Sequence, residues 1–135
     1  MKPRAVALII DHTAHAILLI HRWKEGRQYY VLPGGKIEEG ETPLEACIRE
    51  AREETGLAIV PGRQVASFIN MGRAEHYFLA TRFSGTLELG FPEKGYQTKE
   101  NVYKLEWVPA EILSTITLQP EKIRPVVDWH LANPD

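Results

Sequence analysis

The chain has 135 residues, 44% hydrophobic and 25% charged, an ordinary globular composition and a length that fits one domain spanning residues 1–135. Its formal net charge of −2 excludes a general nucleic-acid or acidic-membrane binder, whose affinity rests on many Lys and Arg. Cys47 is the only cysteine, which excludes an intramolecular disulfide and a thiolate metal cluster and makes a reducing cytoplasm the expected location.

In chain order, residues 5–10 and 16–20 are short apolar runs that read as buried strands joined by a turn. The first is too short to span a membrane and no cleavage region follows it, so no membrane association is expected. Residues 29–32 form another strand candidate, stopped by Pro33-Gly34-Gly35. The spacing predicts a helix over residues 42–55. Thr42 serves as N-cap, Pro43 takes the first position, Glu45 completes a capping box and Gly56 ends it. Leu44, Cys47, Ile48 and Ala51 make its apolar stripe.

Residues 65–70 and 76–83 are strand candidates, the second placing Tyr77, Leu79, Thr81 and Phe83 on one face. Residues 84–100 are rich in Gly and polar residues and read as a short strand at 86–89 followed by a long loop of the kind that carries function. Residues 104–108 read as the last strand. Two short helices follow, one from Pro109 and one from about Pro120 or Pro125.

Glu50, Glu53 and Glu54 stand at i, i+3 and i+4 and share one helix face at the edge of the apolar stripe. Like charges at this spacing repel, and the last helical turn disfavours anions. A hard divalent cation with oxygen ligands resolves both conflicts. A solvated surface helix balanced by Arg49 and Arg52, which this geometry points to another side, is the competing reading.

The flanking residues separate the two. Gly35 precedes Glu41 by six positions and Glu41 precedes Arg49 by eight, followed by Glu50, Glu53, Glu54, Gly56 and Leu57. The stretch 35–57, GKIEEGETPLEACIREAREETGL, resembles a complete Nudix box, G-x5-E-x7-R-E-U-x-E-E-x-G-U with U aliphatic. Ala51 at the first U is smaller than usual. With each of the seven fixed residues at ~7% frequency, chance agreement is ~10⁻⁸ per start position.

The resemblance implies an α/β fold, a Nudix-type α/β/α sandwich with a mixed β-sheet. It also implies an enzyme that hydrolyses a phosphoanhydride bond in a nucleoside diphosphate linked to another group. Glu53 and Glu54 match the family's Mg²⁺ or Mn²⁺ ligands, and Glu50 a third ligand or the base that activates water. Arg49 would orient the glutamates, Gly35 would permit a tight loop, and Glu41 would support the loop–helix junction or meet a metal through water. The family often adds an acid from a loop before a late strand. Glu100 is the candidate, with Asn101 as the alternative occupant of that position and Glu93 and Glu106 weaker ones.

Lys36 is a candidate phosphate contact or a solvated loop lysine. Arg22, Arg27, Tyr29, Phe68, Tyr77, Phe91, Tyr96 and Tyr103 are candidates to stack on a base or hold phosphate, or core residues; Arg22 and Tyr96 are the chosen substrate contacts. Cys47 and His130 read as packed residues. The expected substrate is a small nucleotide, a nucleoside triphosphate first and ADP-ribose or another nucleotide sugar second. The rival is a non-catalytic nucleotide-sensing module of the same fold. No nucleic-acid partner is expected, and a homodimer follows by family analogy only.

Overall fold

The computed structural model describes residues 1–90, 98 and 101–134. The elements run β1 (Arg4–Asp11), β2 (Ala16–Lys24), β3 (Arg27–Val31), β4 (Gly34–Lys36), α1 (Pro43–Thr55), β5 (Leu57–Val60), β6 (Gln64–Asn70), β7 (Arg73–Ala80), β8 (Arg82–Gly85) and β9 (Asn101–Pro109). A 3-10 turn (Ala110–Thr115), β10 (Leu118–Gln119), a second 3-10 turn (Glu121–Ile123) and α2 (Arg124–Ala132) complete the order. Eight strands form a mixed sheet, ordered β10-β3-β2-β1-β7-β6, with β4 joined to β1 and β9 to β2; β5 and β8 form a separate ribbon.

The two central strands β1 and β7 run parallel and are covered on both faces, which is why β1 reads as a continuous apolar run. Val6, Leu8 and Ile10 pack with Tyr77 and Leu79 on one face, beneath Val127 and Leu131 of α2. Ala5, Ala7 and Ile9 pack with Phe78 and Ala80 on the other, beneath Ala46, Cys47 and Ala51 of α1. The expected α/β sandwich with a mixed sheet is therefore the observed architecture.

One feature of the sheet makes room for a site. β1 and β2 are hydrogen-bonded only beside their turn, at Ile10–Ile17 and Asp11–Ala16. Beyond it they splay, β2 towards β3 and β9 and β1 towards β7. The edge of β1 so released is taken by β4, with Ala5 opposite Gly35 and Val6 opposite Gly34, and the Ala7 N–H donates to Pro33 O at 2.9 Å. The Pro33-Gly34-Gly35 segment is thereby fixed against the sheet at the foot of α1.

The helix forms as its end signals predict. The Thr42 hydroxyl accepts from the Glu45 N–H at 3.1 Å and the Glu45 carboxylate accepts from the Thr42 N–H at 2.8 Å. Gly56 ends the helix with φ 80°. Its buried face departs from the predicted stripe at Leu44 and Ile48, which are 40% and 38% exposed; Cys47 and Ala51 of the stripe are buried, with Ala46, Glu54 and Thr55 beside them. Small residues let the helix approach the alanines of β1 closely, and the buried face turns towards Glu50 and Glu54.

Two other expectations change. The strand predicted over 76–83 ends at Ala80, and Phe83 belongs to the β5–β8 ribbon; β5 itself was hidden by its place directly after the helix. Residues 86–89 form no strand. The segment wraps the end of α1, where the N–H groups of Glu88 and Gly90 donate to Thr55 O and Glu54 O, carbonyls that a helix end leaves without partners. The last helix begins at Arg124, with Pro125 in its first turn, where a missing N–H costs nothing. No helix among the described residues is long and apolar enough to cross a membrane.

Candidate active site

Arg49 is the hub of the acidic helix. Its guanidinium grips Glu41 with two hydrogen bonds, Nε to Oε2 at 2.7 Å and Nη2 to Oε1 at 2.9 Å. Nη1 reaches Glu50 at 2.8 Å and Glu53 at 3.2 Å, and Nη2 also donates to Lys36 O at 2.9 Å. The expectation that Arg49 points away from the glutamates is corrected: it lies one turn before Glu53, at i, i+4, and its long side chain spans the face. Charge-assisted, bidentate contact of this kind is strong. It holds the Glu41 carboxyl down at about 2, helped by the Glu38 N–H, and raises the already high pKa of Arg49.

The three helix carboxylates differ in surroundings. Glu53 is half exposed and Glu50 mostly covered, while Glu54 is buried and accepts from the Gly34 N–H at 2.8 Å. A Cβ on Gly35 would lie 2.3–2.6 Å from the Glu50 carboxylate carbon and oxygens, so any side chain there would displace that carboxylate. The backbone approaches the acid closely only because the side chain is absent. Lys36 supplies its carbonyl to Arg49 and its side chain is exposed.

The donor chemistry fits a hard divalent cation, since Glu50, Glu53 and Glu54 offer carboxylate oxygens from one helix edge. As they stand, no three His, Cys, Asp or Glu side chains among the described residues converge on one point. The Arg49 guanidinium lies between Glu50 and Glu53 instead and neutralises them.

A cleft of about 720 Å³ opens where β1 and β2 splay, lined by side chains including Arg4, Arg22, Arg27, Tyr29, Glu75 and Tyr77. Its charged lining is four cations, Arg4, Arg22, Arg27 and Lys122, against two carboxylates, Glu75 and Glu121, an excess of two positive charges in a chain of net charge −2. Such a concave basic wall focuses positive potential. Arg22 stacks over Tyr103 and Tyr29, at 4.3 Å and 5.4 Å from the ring centres, and donates to the Tyr103 hydroxyl at 2.6 Å. It also reaches Asn101 Oδ1 at 3.5 Å.

Arg22 thus belongs to the cleft and not to the helix face. Phe68 packs against Tyr77 and under Lys122. Glu106 is engaged by His21 at 2.7 Å and by Tyr30. Glu100 and Tyr96, like Phe91 and Glu93, lie outside the described residues. Arg4 and Glu75 are cleft residues that sequence reasoning missed. The one available signal was a lone glutamate within the alternating pattern of β7.

A profile of the NUDIX domain matches residues 1–130. The chain belongs to that family. Among solved Nudix-fold structures, MutT from Aliivibrio salmonicida and Vibrio cholerae aligns over 97% of both chains, with a TM-score of 0.75 and 23% identity. The E. coli ORF135 protein aligns over 98% of this chain and 91% of its own, with a TM-score of 0.66 and 29% identity. The uncharacterized Nudix hydrolase YvcI of Bacillus subtilis is 44% identical over 48 residues, 36% of this chain and 29% of that protein. The curated relatives are matched over less than a third of their own lengths.

Proposed function

We propose that the protein is a Mg²⁺- or Mn²⁺-dependent hydrolase of a nucleoside diphosphate linked to a further group, with a nucleoside triphosphate as the favoured substrate. The observation that carries this reading is the junction of two unlike surfaces. A carboxylate edge on α1 and a basic cleft in the splayed sheet are linked through Gly34, whose N–H donates to Glu54 and whose carbonyl accepts from Arg4 of the cleft wall. A nucleotide polyphosphate has two parts with these opposite needs. Its base and sugar suit an aromatic and cationic cleft, and its anionic bridge can approach carboxylates only across a cation.

Glu53 and Glu54 would hold the cation, with Glu50 as a third ligand or the base. A divalent ion bound there polarises a phosphoryl group and lowers the pKa of bound water. The water oxygen forms a new bond to phosphorus, the bridging P–O bond breaks, and the water proton passes to a carboxylate oxygen. Arg49 would keep the three carboxylates of Glu41, Glu50 and Glu53 oriented from one guanidinium, anchored by its bidentate hold on Glu41 and its bond to Lys36 O. Positioning and charge neutralisation supply most of the acceleration in phosphoryl transfer. Arg22 would position the nucleoside part in the cleft, and Lys36, exposed beside Gly35, would meet phosphate.

The test is a panel of nucleoside triphosphates, oxidised purine triphosphates, ADP-ribose and dinucleoside polyphosphates, with Mg²⁺ and with EDTA, resolved by chromatography. Metal-dependent release of a nucleoside monophosphate is expected from the triphosphates. Release from ADP-ribose alone would move the substrate to the nucleotide sugars. Tight binding without turnover under Mg²⁺ or Mn²⁺ would mark a sensor and overturn the hydrolase reading.

A further inference from the structure

We infer that Arg4, held by the buried carboxylate of Glu75, is a positioning residue for Glu54 and acts through the main chain of Gly34. The inference rests on the reading of Glu54 as a metal ligand. Glu75 is 2% exposed and no part of the acidic helix. A buried carboxylate is costly unless paired and hydrogen-bonded, and three groups answer it. The Tyr77 hydroxyl donates to Oε1, and Oε2 faces Arg4 Nη1 at 3.5 Å and Asn70 Nδ2 at 3.4 Å. Arg4 and Glu75 stand directly opposite each other in the parallel β1–β7 register, so the pairing is built into the sheet.

The second arm of Arg4 leads to the helix. Nη2 donates to Gly34 O at 3.3 Å, and the Gly34 N–H donates to Glu54 Oε1 at 2.8 Å. The peptide that carries this N–H is anchored on its other side, where Pro33 O accepts from Ala7 N. There is little slack: a Cβ on Gly34 would lie 2.5 Å from Ala5 O. A continuous series therefore runs from Tyr77 and Glu75 through Arg4 and Gly34 to Glu54. Groups that orient a ligand from behind contribute to metal affinity although they never touch the ion. Since Arg4, Glu75 and Tyr77 also line the cleft, a ligand in the cleft touches the same series, and binding there and metal binding at α1 would be reciprocally coupled.

The test is Mn²⁺ binding to the purified protein, read as loss of the free-ion electron paramagnetic resonance signal, for the native chain, Arg4→Lys and Glu75→Gln. Arg4→Lys keeps a charge opposite Glu75 and loses the forked reach to Gly34 O. Glu75→Gln keeps the size and the acceptor for Tyr77 and removes the charge. Both should raise the Mn²⁺ dissociation constant about tenfold. kcat should fall in parallel at subsaturating metal and rise again as metal is added. Unchanged Mn²⁺ affinity in a variant with a native-like melting curve would overturn the inference. A KM rise with unchanged Mn²⁺ affinity would also overturn it, by making Arg4 a direct substrate contact. If Glu75→Gln does not fold, Arg4→Lys decides alone. No Mn²⁺ binding by the native chain would remove the metal reading itself, and this inference with it.

Discussion

Arg49 donates to Glu41, Glu50, Glu53 and the Lys36 carbonyl, and its grip on Glu41 has a pH signature. The folded-state pKa of Glu41, about 2, lies below the ordinary 4.5. The pair therefore stabilises the fold above pH 4.5, and that contribution is lost as the pH falls towards 2. Urea unfolding midpoints of the native chain should fall more steeply between pH 5 and pH 2.5 than those of Glu41→Gln; parallel profiles would remove the pair from the acid response. Glu53 is half exposed, so Glu53→Gln should leave the melting temperature unchanged or raised while kcat falls about 10²-fold or more, the scale on which one preorganised charge acts. A near-native rate would exclude Glu53 as a ligand. Burial pushes the Cys47 thiol up to about 12, so the native protein should resist thiol reagents at pH 8 and react only on unfolding. The acidic positions were legible because their spacing carries the information. The roles of Arg4 and Glu75 were not, because they depend on a pairing between strands far apart in sequence.

The helix and its seat show where local pattern stops being sufficient. Capping box, Pro43 and Gly56 all stand where the sequence placed them, since end signals act within a few residues. The buried face was misjudged at Leu44 and Ile48, which the i, i+3, i+4, i+7 spacing placed on one stripe with Cys47 and Ala51; Ala46 is buried in their stead. In the fold, closeness decides: α1 rests on Ala5, Ala7 and Ile9, and small residues make the nearest contact. Ala51→Leu should therefore destabilise by about 1–3 kcal/mol through overpacking, while Leu44→Gln should cost less than about 0.5 kcal/mol, as surface changes do. Chemical denaturation of the two variants checks this directly; equal losses would restore the predicted stripe. β5 went unread for a related reason, since four residues directly after a helix carry too little alternation to stand out from its end.

Across the whole molecule, a single cation should couple the site to stability. Binding that favours the folded state adds about 2.7 kcal/mol when the free ion is a hundredfold above its dissociation constant. Mg²⁺ should thus raise the melting temperature beyond NaCl of equal ionic strength; a shift reproduced by NaCl would reduce the effect to screening. The sandwich itself was legible through the resemblance carried by residues 35–57, but the cleft was not. It arises where β1 and β2 part company, a property of the sheet and of no one segment. The parallel pairing of β1 with β7 has a further consequence in the order of synthesis. Arg4 must wait for Glu75, 71 residues later, which at ~5–20 residues per second leaves the apolar β1 segment without its partner for several seconds on the ribosome. The newborn chain is most vulnerable to aggregation in that interval, when its central strand has β2 and β4 beside it but the edge meant for β7 is still open.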